Sequence, residues 1–179
     1  MQASPERIIL VVDDDEAVRD GLQRVLEQES YTVLQAESAK QALSLMTKNR
    51  VHILISDYEM PGTSGLELLK IVRARHPHVC RIMLTAHGDP HLLIRSINEG
   101  EVHRFIEKPW DNILLKVTLF FAFETLALEE ENRRLIEQVQ RQIAFIRELE
   151  TRVPGISLLT RDEKGEISLA PTGSPSEIR

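Results

Sequence analysis

Three adjacent carboxylates, Asp13, Asp14 and Asp15, close the apolar run in "IILVVDDDEAVRDGL". Crowded like charges repel, and burial makes each acid harder to ionise. A chain that keeps them needs a compensating positive charge. Oxygen-only donors suit a hard divalent cation, Mg2+ first, and its charge would restore ionisation to the acids. Three more residues follow apolar runs further along: Asp57 in "ILISDYEMPG", Thr85 in "RIMLTAHGD" and Lys108 in "FIEKPW". A carboxylate beside a metal ion and a lysine can also attack phosphorus, while the cations offset charge on the phosphoryl oxygens.

Such residues matter only if the fold gathers them. The runs Ile8–Val12, Thr32–Ala36, His52–Ser56, Cys80–Thr85 and His103–Ile106 are too short for helices and read as five strands. Amphipathic stripes lie between them: Val18, Leu22, Val25 and Leu26; Ala39, Ala42, Leu43 and Met46; Leu66, Leu69, Ile71 and Val72; Leu93, Ile94 and Ile97. Ser38 and Ser64 are placed as N-caps, and Gly100 as a helix stop. This alternation predicts an α/β fold, a doubly wound five-stranded parallel sheet covered on both faces. Ligands of such sheets lie beyond the carboxyl ends of the strands. Asp13, Asp14, Asp57, Thr85 and Lys108 are therefore expected along one edge.

A fifth helix opens after Pro109 and meets neither proline nor glycine from Asp111 to Arg152. At ~1.5 Å per residue that is on the order of 60 Å, long enough to project beyond a domain of ~13 Å radius of gyration. Leu128, Asn132, Leu135, Val139, Gln142, Ile146, Leu149 and Val153 follow a 4-3 spacing, which reads as the seam of a coiled coil, the alternative being a stripe that folds back onto the domain. Ile136 and Ile143 widen it on one side. Asn132 within the seam favours a parallel homodimer in one alignment. Val153-Pro154-Gly155 must break the helix. "ISLLTRDEKGEISL" then reads as a hairpin about Lys164-Gly165, and "APTGSPSEIR" is polar enough to be disordered.

The segments "LVVDDDEAVRDGL", "ILISDYEMPGTSGLELL", "RIMLTAHGD" and "FIEKPW" together resemble the response-regulator receiver domain of two-component signalling, over residues 7 to about 118. The resemblance implies a flavodoxin-like receiver fold and a phosphoryl group accepted on Asp57 from a histidine kinase or phosphotransfer protein. It implies Mg2+ held by Asp14, Asp57 and the main-chain carbonyl of Glu59, with Asp13 reaching it through water. Thr85 would hydrogen-bond the phosphoryl group, and Lys108 would ion-pair with it. Phe105 would be a switch aromatic that turns inward when Thr85 moves, and the Lys108–Pro109 peptide would be cis. Asp15 has no required role and is free to cap the first helix. Glu59 and His87 fall where the family tunes dephosphorylation. The expected organisation is a receiver domain at 1–118, a coiled-coil helix at 119–153, a hairpin candidate at 154–169 and a disordered tail at 170–179.

Composition narrows the output. A net charge of −6 argues against a direct grip on nucleic acid. The segment from Thr118 onward carries 8 Lys/Arg against 11 Asp/Glu, a poor DNA-binding surface. The single cysteine, with no membrane-length apolar run, fits a cytoplasmic chain. The expected function is a phosphorelay regulator, not an enzyme, that signals through its fifth helix and coiled coil to a protein partner. One alternative is the regulatory part of a larger regulator with an effector, such as a cyclic-nucleotide phosphodiesterase, beyond residue 179. A more distant one is a haloacid-dehalogenase-type phosphatase, for which Asp13 and Asp15 have the D-x-D spacing but Ala17 stands where Thr or Val belongs.

Overall fold

The structure is a computed structural model that describes residues 7–86, 97, 100–152, 159–161 and 167–169. Five strands, β1 (Arg7–Val12), β2 (Tyr31–Ala36), β3 (Ile53–Asp57), β4 (Cys80–Thr85) and β5 (Arg104–Glu107), form a parallel sheet in the order β2-β1-β3-β4-β5. These are the five expected strands, with ends displaced by at most one residue. The described helices are α1 (Glu16–Leu26), α2 (Ala39–Lys48), α3 (Gly65–Arg75) and α4 (Asn112–Arg152). The Leu93/Ile94/Ile97 stripe lies outside the described residues except for Ile97, which is helical and exposed. The helix expected as the fifth is thus α4.

Why the strands are apolar throughout is visible in their neighbours. Leu10, Val12, Leu54 and Met83 face Ala42, Met46, Leu68, Leu69 and Val72 of α2 and α3. The alternate residues Ile9, Val11, Ile53, Ile55, Ile82 and Leu84 face Leu22 and Leu26 of α1 and Leu115, Leu119, Ala122 and Phe123 of α4. Both faces are covered, so neither set can be polar. Helix starts are fixed locally. Asp15 caps α1 by accepting the Ala17 N–H at 2.8 Å, and Ser38 caps α2. Ser64 and Glu67 form a reciprocal capping box on α3.

The chain divides into two compact units, Met1–Leu128 and Glu129–Arg179. In the first, packing of α4 continues past Thr118. Phe123 is buried, its ring stacks on Tyr31 at 5.1 Å, and the Arg7 guanidinium lies 5.1 Å from its centroid. The second unit holds the rest of α4 and an antiparallel pair, β6 (Leu159–Arg161) with β7 (Ile167–Leu169). Those strands fall in the two runs of the expected hairpin. Its turn at Lys164-Gly165 and the 170–179 tail lie outside the described residues, as does Val153 of the seam. Among the described residues no helix is long and apolar enough to cross a membrane.

At the amino-terminal end of β4 a guanidinium is buried. Arg81 is 3% exposed, and it donates to the carbonyls of Val79 at 2.9 Å, Gly100 at 3.0 Å and Glu101 at 2.9 Å. Its own N–H donates to Nδ1 of His103 at 2.9 Å, which needs that nitrogen unprotonated. Burial, then the charges of Arg81 and Arg104, push the imidazole down to about 4. Unfolded His103 takes a proton below its ordinary value of 6.5, whereas folded His103 resists until about 4. The contribution of His103 to stability is therefore constant above pH 6.5 and diminishes as pH falls through that window. Urea unfolding across the window should show a flatter decline for His103→Gln than for the wild type.

Candidate functional site

Parallel strands place their carboxyl ends side by side, and the register here makes them flush. Asp57, the last residue of β3, pairs with Leu84, and Thr85, the last of β4, pairs with Glu107. Main-chain bonds carry the alignment past the strand ends. Asp13 N–H donates to Ala36 O at 3.2 Å, Tyr58 N–H to Leu84 O at 3.0 Å and Lys108 N–H to Thr85 O at 2.8 Å. The result is a cavity of about 190 Å³ whose walls include Asp13, Asp14, Asp57, Glu59, Thr85 and Lys108. All six metal and catalytic candidates from the sequence are together in it.

Lys108 holds the centre. Its Nζ lies 2.7 Å from Asp13 Oδ2 and 2.6 Å from Asp57 Oδ1. Asp13 is 1% exposed and Asp57 7%, while Asp14 is open to solvent. Burial pushes the Asp13 carboxyl up; the Lys108 hydrogen bond and the Asp15 N–H at 2.9 Å work against it, and the Asp57 charge adds to it. Burial also pulls the Lys108 ammonium down, but its bonds to Asp13 and Asp57 overcome this and leave it raised. One cation thus answers two buried anions, and a net negative charge remains. One carboxylate oxygen from each of Asp13, Asp14 and Asp57 lies within 4.8 Å of the others. That is close to the ~4 Å between opposite ligands of a small six-coordinate ion. The donors are all hard oxygens, so this set fits Mg2+.

Backbone detail fixes Asp57. A Cβ on Gly65 would sit 1.8 Å from the carbonyl oxygen of Asp57, so only glycine lets α3 start this close to β3. Gly65 N–H donates to Tyr58 O at 3.1 Å, and Ser56 Oγ to Asp57 O at 3.0 Å. Arg19 Nη1 donates to Asp13 O at 2.6 Å. The Lys108–Pro109 peptide is cis. Phe105 pairs with Met83, is half-buried and packs on the core. It also lines a second cavity of about 580 Å³ with Pro109, Trp110, Leu114 and Thr118.

Residues 9–119 match the model of the response regulator receiver domain. The chain belongs to that family. The chain is 33% identical over 150 residues to the transcriptional regulatory protein FixJ of Azorhizobium caulinodans, covering 83% of this chain and 71% of FixJ. It is 34% identical over 140 residues to the hydrogenase transcriptional regulatory protein HoxA of Cupriavidus necator, covering 78% of this chain. The chain spans only 29% of HoxA's length. Among solved structures, the signal receiver domain of an HD domain-containing protein from Pseudomonas fluorescens Pf-5 aligns with TM-score 0.68 at 35% identity, over 73% of this chain and 96% of that one. A chain described as adenylate cyclase from Rhodopirellula baltica aligns with TM-score 0.69 at 28% identity, over 74% and 98% of the two chains.

The sequence named six of the residues that line the cavity but passed over three that support its neighbourhood. Gly65 had a signal, a glycine directly after an N-cap where no turn requires one. Arg19 and the contact of Trp110 with Gly21, where an added Cβ would lie 3.4 Å from the ring, had none short of the fold. His87 lies outside the described residues.

Two changes test this geometry. Gly65→Ala should cost about 3 kcal/mol of stability, the upper end for overpacking, because the obstacle is backbone and cannot swing away. Lys108→Met strands two buried carboxylates and should cost about 3 kcal/mol at neutral pH. That second loss should shrink as pH falls, because burial already holds the Asp13 carboxyl above its ordinary value and favours its protonation. Urea unfolding at neutral and at acidic pH measures each.

Proposed function

We propose that this receiver accepts a phosphoryl group on Asp57 from a histidine kinase or phosphotransfer protein and signals as a homodimer to a protein partner. The observation that carries the reading is the Lys108 bridge to Asp13 and Asp57, which sets a buried nucleophile beside both a cation and a hard-oxygen metal set. A carboxylate oxygen of Asp57 attacks phosphorus and forms an acyl-phosphate bond. The phosphorus–nitrogen bond of the donor phosphohistidine breaks, and its electron pair stays on the imidazole. Asp14, Asp57 and the Glu59 carbonyl would hold Mg2+ directly, and Asp13 through water. When bound, that ion supplies positive charge against the phosphoryl oxygens.

The chain's own residues do the rest. Lys108 moves its ion pair from the Asp57 carboxylate to the phosphoryl oxygens. Thr85, buried at the end of β4, donates its hydroxyl to them. Phe105 lies two positions before Glu107, the residue that pairs with Thr85, so a shift of Thr85 reaches it along β5. Phosphorylation adds nearly two negative charges and strong acceptors, enough to bias Phe105 and the start of α4 toward a second arrangement. Turnover of an external substrate forms no part of this reading.

The dimer reading rests on the seam. Leu128, Asn132, Leu135, Val139 and Ile146 are exposed along α4, and Leu149 is half-buried. Unburied side chains of this size at 4-3 spacing suit a parallel coiled coil. The length comparison with HoxA favours a second reading, in which this chain is the regulatory part of a longer regulator. Against a phosphatase stands Asp15, which is occupied in capping α1.

Light scattering with Mg2+, with and without beryllofluoride, tests the reading. Wild type should change its association state, and Asp57→Ala should not respond. Identical behaviour of both proteins would count against Asp57 as the switch.

A further inference from the structure

Asp14 is the exception within the acid cluster. Lys108 holds Asp13 and Asp57, whereas the Asp14 carboxylate is exposed and makes no hydrogen bond or ion pair among the described residues. One of its oxygens nevertheless lies within 4.8 Å of an oxygen from each of the other two acids. A side chain without partners is kept in such a place only through the main chain that carries it. Whatever fixes that main chain is part of the site.

Bonds on both sides of Asp14 do so. Before it, Asp13 N–H donates to Ala36 O at 3.2 Å, and Arg19 Nη1 donates to the Asp13 carbonyl at 2.6 Å. After it, Asp15 N–H donates to Asp13 Oδ1 at 2.9 Å, and Asp15 Oδ1 accepts the Ala17 N–H at 2.8 Å. The Asp13 carbonyl belongs to the peptide that ends on the nitrogen of Asp14. Because a peptide is planar, holding its oxygen also sets where the Asp14 Cα lies. Among these four bonds, that of Arg19 alone uses a side chain from outside the acid run. Arg19 stands one turn into α1, where its own N–H donates to Asp15 O at 3.2 Å. Helical side chains lean toward the amino terminus, so its half-buried guanidinium reaches back to the end of β1.

Charge and position pull in opposite directions here. A guanidinium bonded to one of the acid residues repels a divalent ion, so by charge alone its removal should tighten ion binding. Groups that orient metal ligands from behind are instead worth about 10- to 100-fold in metal affinity, and an ionised donor makes a short, strong bond to a carbonyl. The two effects have opposite signs, which makes them separable by experiment.

We propose that Arg19 is a positioning residue for the divalent ion, holding the Asp13–Asp14 peptide through its carbonyl so that the Asp14 carboxylate stands ready at the open side of the cavity. This rests on the Mg2+ reading above and adds to it a residue that is not itself a ligand.

Titration of the full chain with Mg2+ tests it, read by the fluorescence of Trp110, the chain's one tryptophan, which lies beside Gly21 of α1. Mn2+, followed by the electron paramagnetic resonance signal of the free ion, gives a second reading. Arg19→Met should weaken both ions about tenfold, with urea unfolding close to that of the wild type. Arg24→Met removes an equal charge from the same helix, along with a bond to Asp20 O, and should leave ion binding unaltered. Arg19→Lys keeps a charged donor without the planar fork and should fall between Arg19→Met and the wild type. With a small-molecule phosphodonor, the Arg19→Met loss should appear in the Mg2+ concentration for half-maximal labelling of Asp57, not in the rate at saturating Mg2+. Should Arg19→Met not fold, Arg19→Gln is measured in its place with the same expectation. Unchanged or tighter ion binding in the neutral variant, or an equal loss in Arg24→Met, overturns the role of Arg19 and leaves the Mg2+ reading standing. A wild type that binds neither ion overturns both.

Discussion

A single ammonium group between two buried carboxylates governs this molecule. Asp13 and Asp57 come from different strands, and Lys108, 2.6–2.7 Å from both, is the charge that lets them share a cavity. Each ion taken from water costs several kcal/mol, which mutual attraction returns only with close geometry. The flush strand ends, the Gly65 approach and the cap at Asp15 all serve that geometry. The arrangement also stays one positive charge short. On the proposed reading, this deficit is what draws a divalent ion to the open side where Asp14 stands.

The site is also tied to the start of the long helix. Lys108 N–H is bonded to Thr85 O, and the chain passes from Lys108 through Pro109 and Trp110 directly into α4. Trp110 packs near Gly21 of α1, whose N-cap, Asp15, is two residues from Asp13. On the proposed reading, a change in what Lys108 holds would act on residues that seat the first turn of α4. That helix packs Leu115, Leu119, Ala122 and Phe123 on the sheet and leaves large apolar side chains in solvent.

Much of this was legible in the sequence because it depends on local pattern. Unbroken apolar runs between amphipathic stripes specify a sheet covered on both faces, and topology then puts the strand-end acids together. Asp13, Asp57, Thr85 and Lys108 could be named from the sequence, since each stands at or just past the end of its strand. What stayed hidden depends on distance between segments remote in sequence. Arg81 reads as a stray charge in an apolar strand until three carbonyls are seen around its guanidinium. Phe123 reads as arm until Tyr31 and Arg7 enclose its ring. The exposed apolar residues at the start of α4, Leu114 and Phe121 among them, were hidden for a related reason, because the buried and unburied apolar residues of the helix interleave in sequence.

The most direct test of the central claim is where phosphorus attaches. The chain is incubated with Mg2+ and a small-molecule phosphodonor, the acyl phosphate is reduced with borohydride, and the modified residue is located by peptide mass spectrometry. The account predicts modification at Asp57, lost in Lys108→Met and when Mg2+ is removed. Modification at Asp13 instead, or at Asp57 with no dependence on Mg2+, would contradict it.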